Sequence, residues 1–363
     1  MRLFLAFGAV SVILACDSPV AAGRQEHPLP IPLLDRIVFD TNRADTLGDV
    51  MSIKLDGSDV RALTDTTSGD ACPALSPDGN WIAYITKVKN DTTARYVLRN
   101  FSLGLMKANG SGKRTIATIS FLGSQGCPFW SPASNRVAIV DQISNQAKTS
   151  TPWRIRTYST DGALVTSFDK FNSAIFSFAP RGDTFLASVY EYTPNGGPFN
   201  RRVSFLSMTG AETIIVSGGS FISASQSGRL TYSCPGICVS NADGTGAVQL
   251  FTGASLQPVF APDASLIAYV CNTQSIIGIC FISPDGVRTG PFATASSRPV
   301  WSANSRFVTF VCGANNSDIC TLDRSGNGFA NLTNTPEAYE RNPSFSPLTA
   351  NASASLTQHS ERP

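Results

Sequence analysis

The residues of this chain best equipped for chemistry are its nine cysteines; its histidines number only two. His27 and His359 both fall in segments that read as tails, which argues against histidine metal sites and His-dependent catalysis. Cys16 closes a short apolar run, Leu3 to Ala15, that follows a single Arg. The run is too short for a stop-transfer helix and reads as a secretory signal over residues 1–15. The other eight cysteines are Cys72, Cys127, Cys234, Cys238, Cys271, Cys280, Cys312 and Cys320. An even set in an exported chain implies disulfides. A tetrahedral zinc site would instead need four thiolates to converge from separated segments.

Other motifs lack the parts that their chemistry requires. Residues 108–114, Ala-Asn-Gly-Ser-Gly-Lys-Arg, resemble a phosphate loop but miss its first Gly and the Ser or Thr after Lys113. Residues 323–328 start like a calcium loop, yet position twelve is Asn334 rather than Glu. No Gly-x-Ser-x-Gly elbow is present for a serine hydrolase. Charged residues make up 15% of the chain, the net charge is +2, and the two signs are interspersed, unlike the basic stripe of a nucleic-acid binder. No cofactor or metal is expected.

The elements that must position these residues come from a repeat. Pro73-Ala-Leu-Ser-Pro-Asp-Gly-Asn-Trp-Ile-Ala-Tyr recurs at Pro128, Pro258 and Pro299, with weaker copies from Ala174, Phe221 and Pro343. A period of about 35–55 residues with short strands and tight turns is the mark of a β-propeller. Each unit resolves into strands A to D, with a Pro-Asp-Gly type turn between A and B. A second turn joins C to D at Asp56-Gly57, Asn109-Gly110, Asp161-Gly162, Thr209-Gly210, Asp243-Gly244, Asp285-Gly286 and Ser325-Gly326. These dipeptides suit type I′ hairpins. The fold expected is all-β, a seven-bladed β-propeller over residues 35–348, with six blades as the alternative. The chain opens on strands B, C and D and ends on a lone A at Pro343, so N-terminal B-C-D should pair with C-terminal A and remove the free edges.

The pattern Pro-x-Trp-Ser-Pro-Asp-Gly-x-x-Ile-Ala-Tyr, with Leu63-Thr64 and Leu332-Thr333 ending strand D, resembles the TolB-type, WD-like propeller repeat over residues 36–347. Propellers of that type serve in envelope complexes, as peptidase appendages and as lyase scaffolds. Related lyases depend on metal-binding histidines that this chain does not supply. Ile13-Leu14-Ala15-Cys16 resembles a bacterial lipobox. That resemblance implies cleavage before Cys16 and lipidation of its sulfur and new amino group. Residues 16–34 then read as a lipidated tether and 349–363 as a flexible tail.

The repeat also chooses among the disulfide pairings. Cys238, Cys280 and Cys320 each lie five residues before a C–D turn, and Cys271 and Cys312 each lie thirteen after a strand-A Pro. Cys234 fits the same slot if Phe221 stands in for the Pro. The pairs Cys234–Cys238, Cys271–Cys280 and Cys312–Cys320 therefore link B to C, while Cys72–Cys127 bridges neighbouring blades. Asp70 and Glu340, three residues before strand-A prolines, should sit at the channel mouth. The face with A–B and C–D turns is uniformly tight. The opposite face carries long B–C loops, about Thr86–Arg95, Gln142–Pro152 and Glu191–Asn200. Lys87, Lys89, Arg95, Lys148 and Arg201 are the candidate partner contacts there.

The function expected is an envelope-tethered, non-catalytic binding lipoprotein, monomeric, recognising a protein or peptide partner in the periplasm or at the cell surface. The alternative is a glycan-directed hydrolase or lyase using the carboxylates of Asp70 and Glu340.

Overall fold

A computed structural model describes residues 36–345, apart from 44–47, 66–67, 88–98, 122–125, 143–151, 172, 193–197, 254, 274–275, 296, 298, 303 and 314–316. It is built of seven four-stranded antiparallel sheets arranged as blades. Blade 1 runs Gly69–Leu75, Trp81–Lys87, Arg99–Lys107, Arg114–Phe121, and blade 2 runs Phe129–Trp130, Arg136–Gln142, Pro152–Ser159, Leu164–Phe171. Blade 3 comprises Ser173–Phe178, Thr184–Tyr192, Pro198–Ser207 and Glu212–Ser217; blade 4 comprises Ser220–Ala224, Leu230–Cys234, Gly236–Ser240 and Val248–Thr252. Blade 5 spans Ser255–Phe260 to Arg288–Thr289, and blade 6 spans Val300–Trp301 to Ala330–Asn331. In blade 7 the last strand of the chain, Glu340–Ser344, lies beside Arg36–Thr41, followed by Asp49–Lys54 and Arg61–Ala62.

The turns differ from the type I′ expectation. In all seven C–D turns only the Gly has positive φ; its Asp, Asn, Thr or Ser neighbour does not. The Gly N–H bonds back three residues, as Gly57 to Lys54 O at 3.0 Å, and a second bond closes a wider ring, as Lys54 N–H to Ser58 O at 3.1 Å. This is a type I turn with a glycine bulge, which fits three-residue hairpin loops. The preceding Asp stays right-handed because its carboxylate holds the turn: Asp56 Oδ1 accepts from Ser58 N–H at 2.9 Å.

Strand A carries a bulge. Cys72, Phe221, Gln257 and Asn342 all have φ between 51° and 56°, and the pairing register slips there. Three of the four immediately precede the strand-A Pro. Phe221 thus occupies the bulge, Ile222 takes the Pro slot, and the expectation that Phe221 replaces the Pro is corrected by one residue. The A–B turn of blade 4 is shorter to match: Ser225 N–H bonds Arg229 O, whereas Ser76 bonds Trp81 O and Ala261 bonds Leu266 O.

Hydrophobic packing lies between blades. Seven buried clusters each join two neighbouring blades, for example Val308, Phe310 and Trp301 with Ala268 and Phe281, or Ile37 and Phe39 with Val311 and Ile319. One register position near the end of strand A dominates. It holds Leu75, Trp130, Phe178, Ala224, Phe260 and Trp301, opposite Ile82, Val137, Phe185, Leu230, Ile267 and Val308, and in blade 7 the residue after Ser344, Phe345. The two tryptophans reach back one blade: Trp130 Nε1 donates to Ala74 O at 2.9 Å and Trp301 Nε1 to Val259 O at 3.0 Å.

Trp301 is buried, so Trp301→Ala is expected to cost about 3–5 kcal/mol in urea unfolding. Trp301→Phe should cost less, because it keeps one aromatic ring in the slot and loses only the pyrrole half of the indole with its bond to Val259. Equal losses would show that ring packing is not the main contribution.

Candidate functional site

The B–C ends of the blades hold the expected disulfides and acids. Cys234–Cys238, Cys271–Cys280 and Cys312–Cys320 are disulfides with Cα–Cα distances of 5.9, 5.7 and 5.8 Å. Their geometry repeats because each strand-B Cys pairs opposite the residue two before its partner: Gly236, Gly278 or Asp318. Gly236 has φ 141°, and a Cβ there would come within 1.9 Å of Phe251 O, so only glycine fits the four-residue clip of blade 4. Cys72–Cys127 joins blade 1 to the start of blade 2 at a Cα–Cα distance of 5.0 Å. These cystines are largely buried beneath the face.

The end of strand B is one slot read seven ways. Thr41, Thr86, Asp141, Val189, Cys234, Cys271 and Cys312 occupy it by strand pairing. Opposite Thr86 stands Asp70 and opposite Thr41 stands Glu340, both buried. Asp70 accepts from Thr86 Oγ1 at 2.6 Å and Ser68 Oγ at 3.1 Å, and burial nevertheless pushes its carboxyl above the usual range. Glu340 Oε1 accepts from Arg43 Nη2 at 2.7 Å and from Thr335 Oγ1, while Oε2 has no partner among the described residues.

Two further acids near the strand-B ends, Asp40 and Asp141, were not anticipated from sequence. Asp40 accepts from Cys72 N–H at 3.1 Å and Asn342 Nδ2 at 2.7 Å, so it fastens blade 7 to the strand-A bulge of blade 1. Asp141 accepts from Arg156 Nη2 at 2.6 Å. Burial raises both carboxyls. Their only sequence signal is an acid within an otherwise apolar strand B, which becomes informative once the strand register is known.

Lys87 ends strand B of blade 1 and is exposed. Arg201, in strand C of blade 3, is exposed with its guanidinium 6.0 Å from the Tyr190 ring. Lys89, Arg95, Lys148 and Cys16 lie outside the described residues. Among the described residues no group of three or more His, Cys, Asp or Glu is arranged to hold a metal ion.

No family model matches this chain, and no curated protein matches it. Solved structures do. TolB from Acinetobacter baumannii is 14% identical with a TM-score of 0.50, over 85% of this chain and 66% of that one. Acylaminoacyl peptidase from Pyrococcus horikoshii is 12% identical with a TM-score of 0.57, over 79% of this chain and 48% of that one. An oligogalacturonate lyase in complex with manganese is 12% identical with a TM-score of 0.53, over 81% of this chain and 84% of that one. The chain has a TolB-like propeller fold. It spans just under two-thirds of the TolB chain and about half of the peptidase chain. At these identities the likeness is one of fold and carries no activity with it.

Two predictions follow from the pinned strand ends. Cys72–Cys127 has a sequence separation of 55 and Cys234–Cys238 one of 4. The chain-entropy model gives about 4 kcal/mol for the first and about 2 kcal/mol for the second. Unfolding of Cys72→Ala/Cys127→Ala should therefore show the larger loss, and the reverse order would contradict the entropic account. The second concerns Asp70. A carboxyl raised in the fold contributes stability that is full below the ordinary carboxylate range and is lost as pH rises through the folded value. Asp70→Asn removes that dependence, so the stability advantage of wild type over variant should shrink as pH rises above the ordinary carboxylate range, about pH 4. An advantage that grows with pH would refute the sign.

Proposed function

We propose that this protein is an exported, envelope-tethered binding scaffold that captures a protein or peptide partner on the B–C face of its propeller. The observation that carries this reading is the pinning of that face. Six of the seven strand-B ends carry a disulfide or meet a buried, hydrogen-bonded acid: Cys234, Cys271 and Cys312 are cystines, Asp141 bonds Arg156, Thr86 bonds Asp70, and Thr41 pairs opposite Glu340, which Arg43 holds. Loops on a rigid frame are the usual carriers of recognition. Fixing their bases lowers the ordering cost paid on binding.

The same pinning speaks against the carboxylate enzyme. Asp70 and Glu340 are buried and engaged with Thr86, Ser68, Arg43 and Thr335 of their own surroundings. Four disulfides support an oxidising compartment. The lipobox-like end of the signal supports cleavage and lipidation at Cys16, which would hold the propeller at a membrane of the envelope. The long segments after Lys87, Gln142 and Tyr192, with Lys87, Lys89, Arg95, Lys148 and Arg201 in or beside them, supply the contacts, suited to a partner with acidic groups.

The test is capture from detergent-solubilised envelopes with the intact protein as bait. Wild type should retain a reproducible partner. A variant with the three B–C segments replaced by short Asn-Gly turns should fold and lose it, whereas capture at full strength would overturn the assignment of the face. Cys16→Ala should become soluble or stay uncut. An unmodified amino terminus downstream of Cys16, seen by mass spectrometry, would overturn the anchor.

A further inference from the structure

The opposite face, with its A–B and C–D turns, is not uniformly closed. At the strand-A position where the other blades place Leu, Phe or Trp, blade 4 has Ala224. A cleft of about 530 Å³ between blades 3 and 4 is lined by Leu230, the strand-B residue paired with Ala224, and lies within the range of about 300–1,000 Å³ typical of ligand sites. Phe205, Ile215 and Leu230 provide apolar lining, and Arg181 and Asp243 stand at its rim. The shortened A–B turn, closed by Ser225 N–H to Arg229 O, borders the cleft through Ser227 and Gly228.

We propose that this cleft is a second recognition site, which takes one aromatic side chain, tryptophan above all, from an extended peptide of a protein partner. It does not depend on the B–C face. The molecule's own repeats define the occupant. Between blades 1 and 2 and between blades 5 and 6 the equivalent slot is filled by an indole, whose N–H meets the strand-A carbonyl of the preceding blade, Ala74 or Val259. In blade 3 the equivalent residue is Ser177: it pairs with Leu186 as Ala74 pairs with Ala83 and Val259 with Ala268. An indole entering past Phe205, Ile215 and Leu230 to the slot left by Ala224 would have the Ser177 carbonyl at the register position that Trp130 and Trp301 use.

The border of the cleft selects a peptide over a free aromatic molecule. Strand Glu212–Ser217 is the outermost of blade 3 and pairs on one side only. Its Thr213, Ile214 and Ile215 line the cleft, and Ile214 is 56% exposed. An extended segment lying along that edge gains main-chain hydrogen bonds while its aromatic residue enters the slot. Arg181 makes no ion pair among the described residues, so its guanidinium is available to lie over the bound ring.

The experiment is calorimetric titration of the full mature protein with a blocked pentapeptide copying residues 299–303, Pro-Val-Trp-Ser-Ala. Its counterpart with Ala for Trp, and N-acetyltryptophanamide, serve as further probes. The Trp peptide should bind at least about tenfold tighter than either (a tenfold step is about 1.4 kcal/mol). Ala224→Trp fills the slot from within and should abolish binding. Ile214→Asp, at an exposed position, should weaken it about tenfold with an unchanged melting temperature, which keeps the test decisive if Ala224→Trp misfolds. The proposal is overturned by equal binding of the two peptides, by no binding of either, or by undiminished binding to Ile214→Asp. Binding of N-acetyltryptophanamide as tight as that of the peptide overturns the peptide assignment and leaves a site for small aromatic molecules.

Discussion

Everything in this molecule depends on one packing constraint: a four-stranded blade cannot bury its faces alone. Each blade packs against the next in one of seven buried clusters, and at six of these interfaces a Leu, Phe or Trp from the inner strand of one blade fills the space against its neighbour. In a linear array one face at each end would stay exposed. The strand Glu340–Ser344 solves this by pairing with Arg36–Thr41, so that Phe345 can fill the last interface against Val311 and Ile319. Stability is then shared among near-neighbour terms around a ring.

The polar groups follow from the same geometry. Where strands A and B meet at the B–C end, backbone curvature and the strand-A bulge leave amide groups that the sheet ladder does not use. Asp40 takes the amide of Cys72, and Ser188 Oγ takes that of Phe221 at 3.1 Å, one blade reaching across to the next in both cases. One residue further along strand B, blades 7, 1 and 2 use hydrogen-bonded acids while blades 4, 5 and 6 use cystines. A carboxylate pays a desolvation penalty there, seen in the raised carboxyls of Asp40, Asp70 and Asp141. A cystine avoids that penalty and needs an oxidising compartment instead.

Much of this was legible in the chain. The Pro-Asp-Gly and Asp-Gly turns set blade number, and blade register set the cysteine pairs, because residues at equal distances from a shared turn must meet across the same hairpin. Turn type was not legible: Asp-Gly serves a two-residue I′ loop and a three-residue loop with a glycine bulge equally well, and only the hydrogen bonds from Lys54 and its equivalents decide. Phe221 misled by one residue because the blade that lacks the Pro also has a shorter A–B turn. The partners of Asp40 and Asp141 were invisible because they come from other strands or other blades, which no local spacing encodes.

The cleft between blades 3 and 4 was the least legible feature, and the reason is general. A repeat is recognised by the residues that recur, so a position where one copy omits its bulky residue reads as a weak copy. In a ring whose interfaces are nearly independent, such an omission weakens one interface while its neighbours hold. The cluster between blades 3 and 4 still buries Leu186, Val203, Ile222 and Tyr232, so the blade stays seated while the outer part of the interface opens. Cavities lined by apolar side chains are costly. A chain that fills this slot with Leu, Phe or Trp in six blades and leaves it open in one, beside an unpaired strand edge, has the form expected of a site whose missing side chain is supplied from outside.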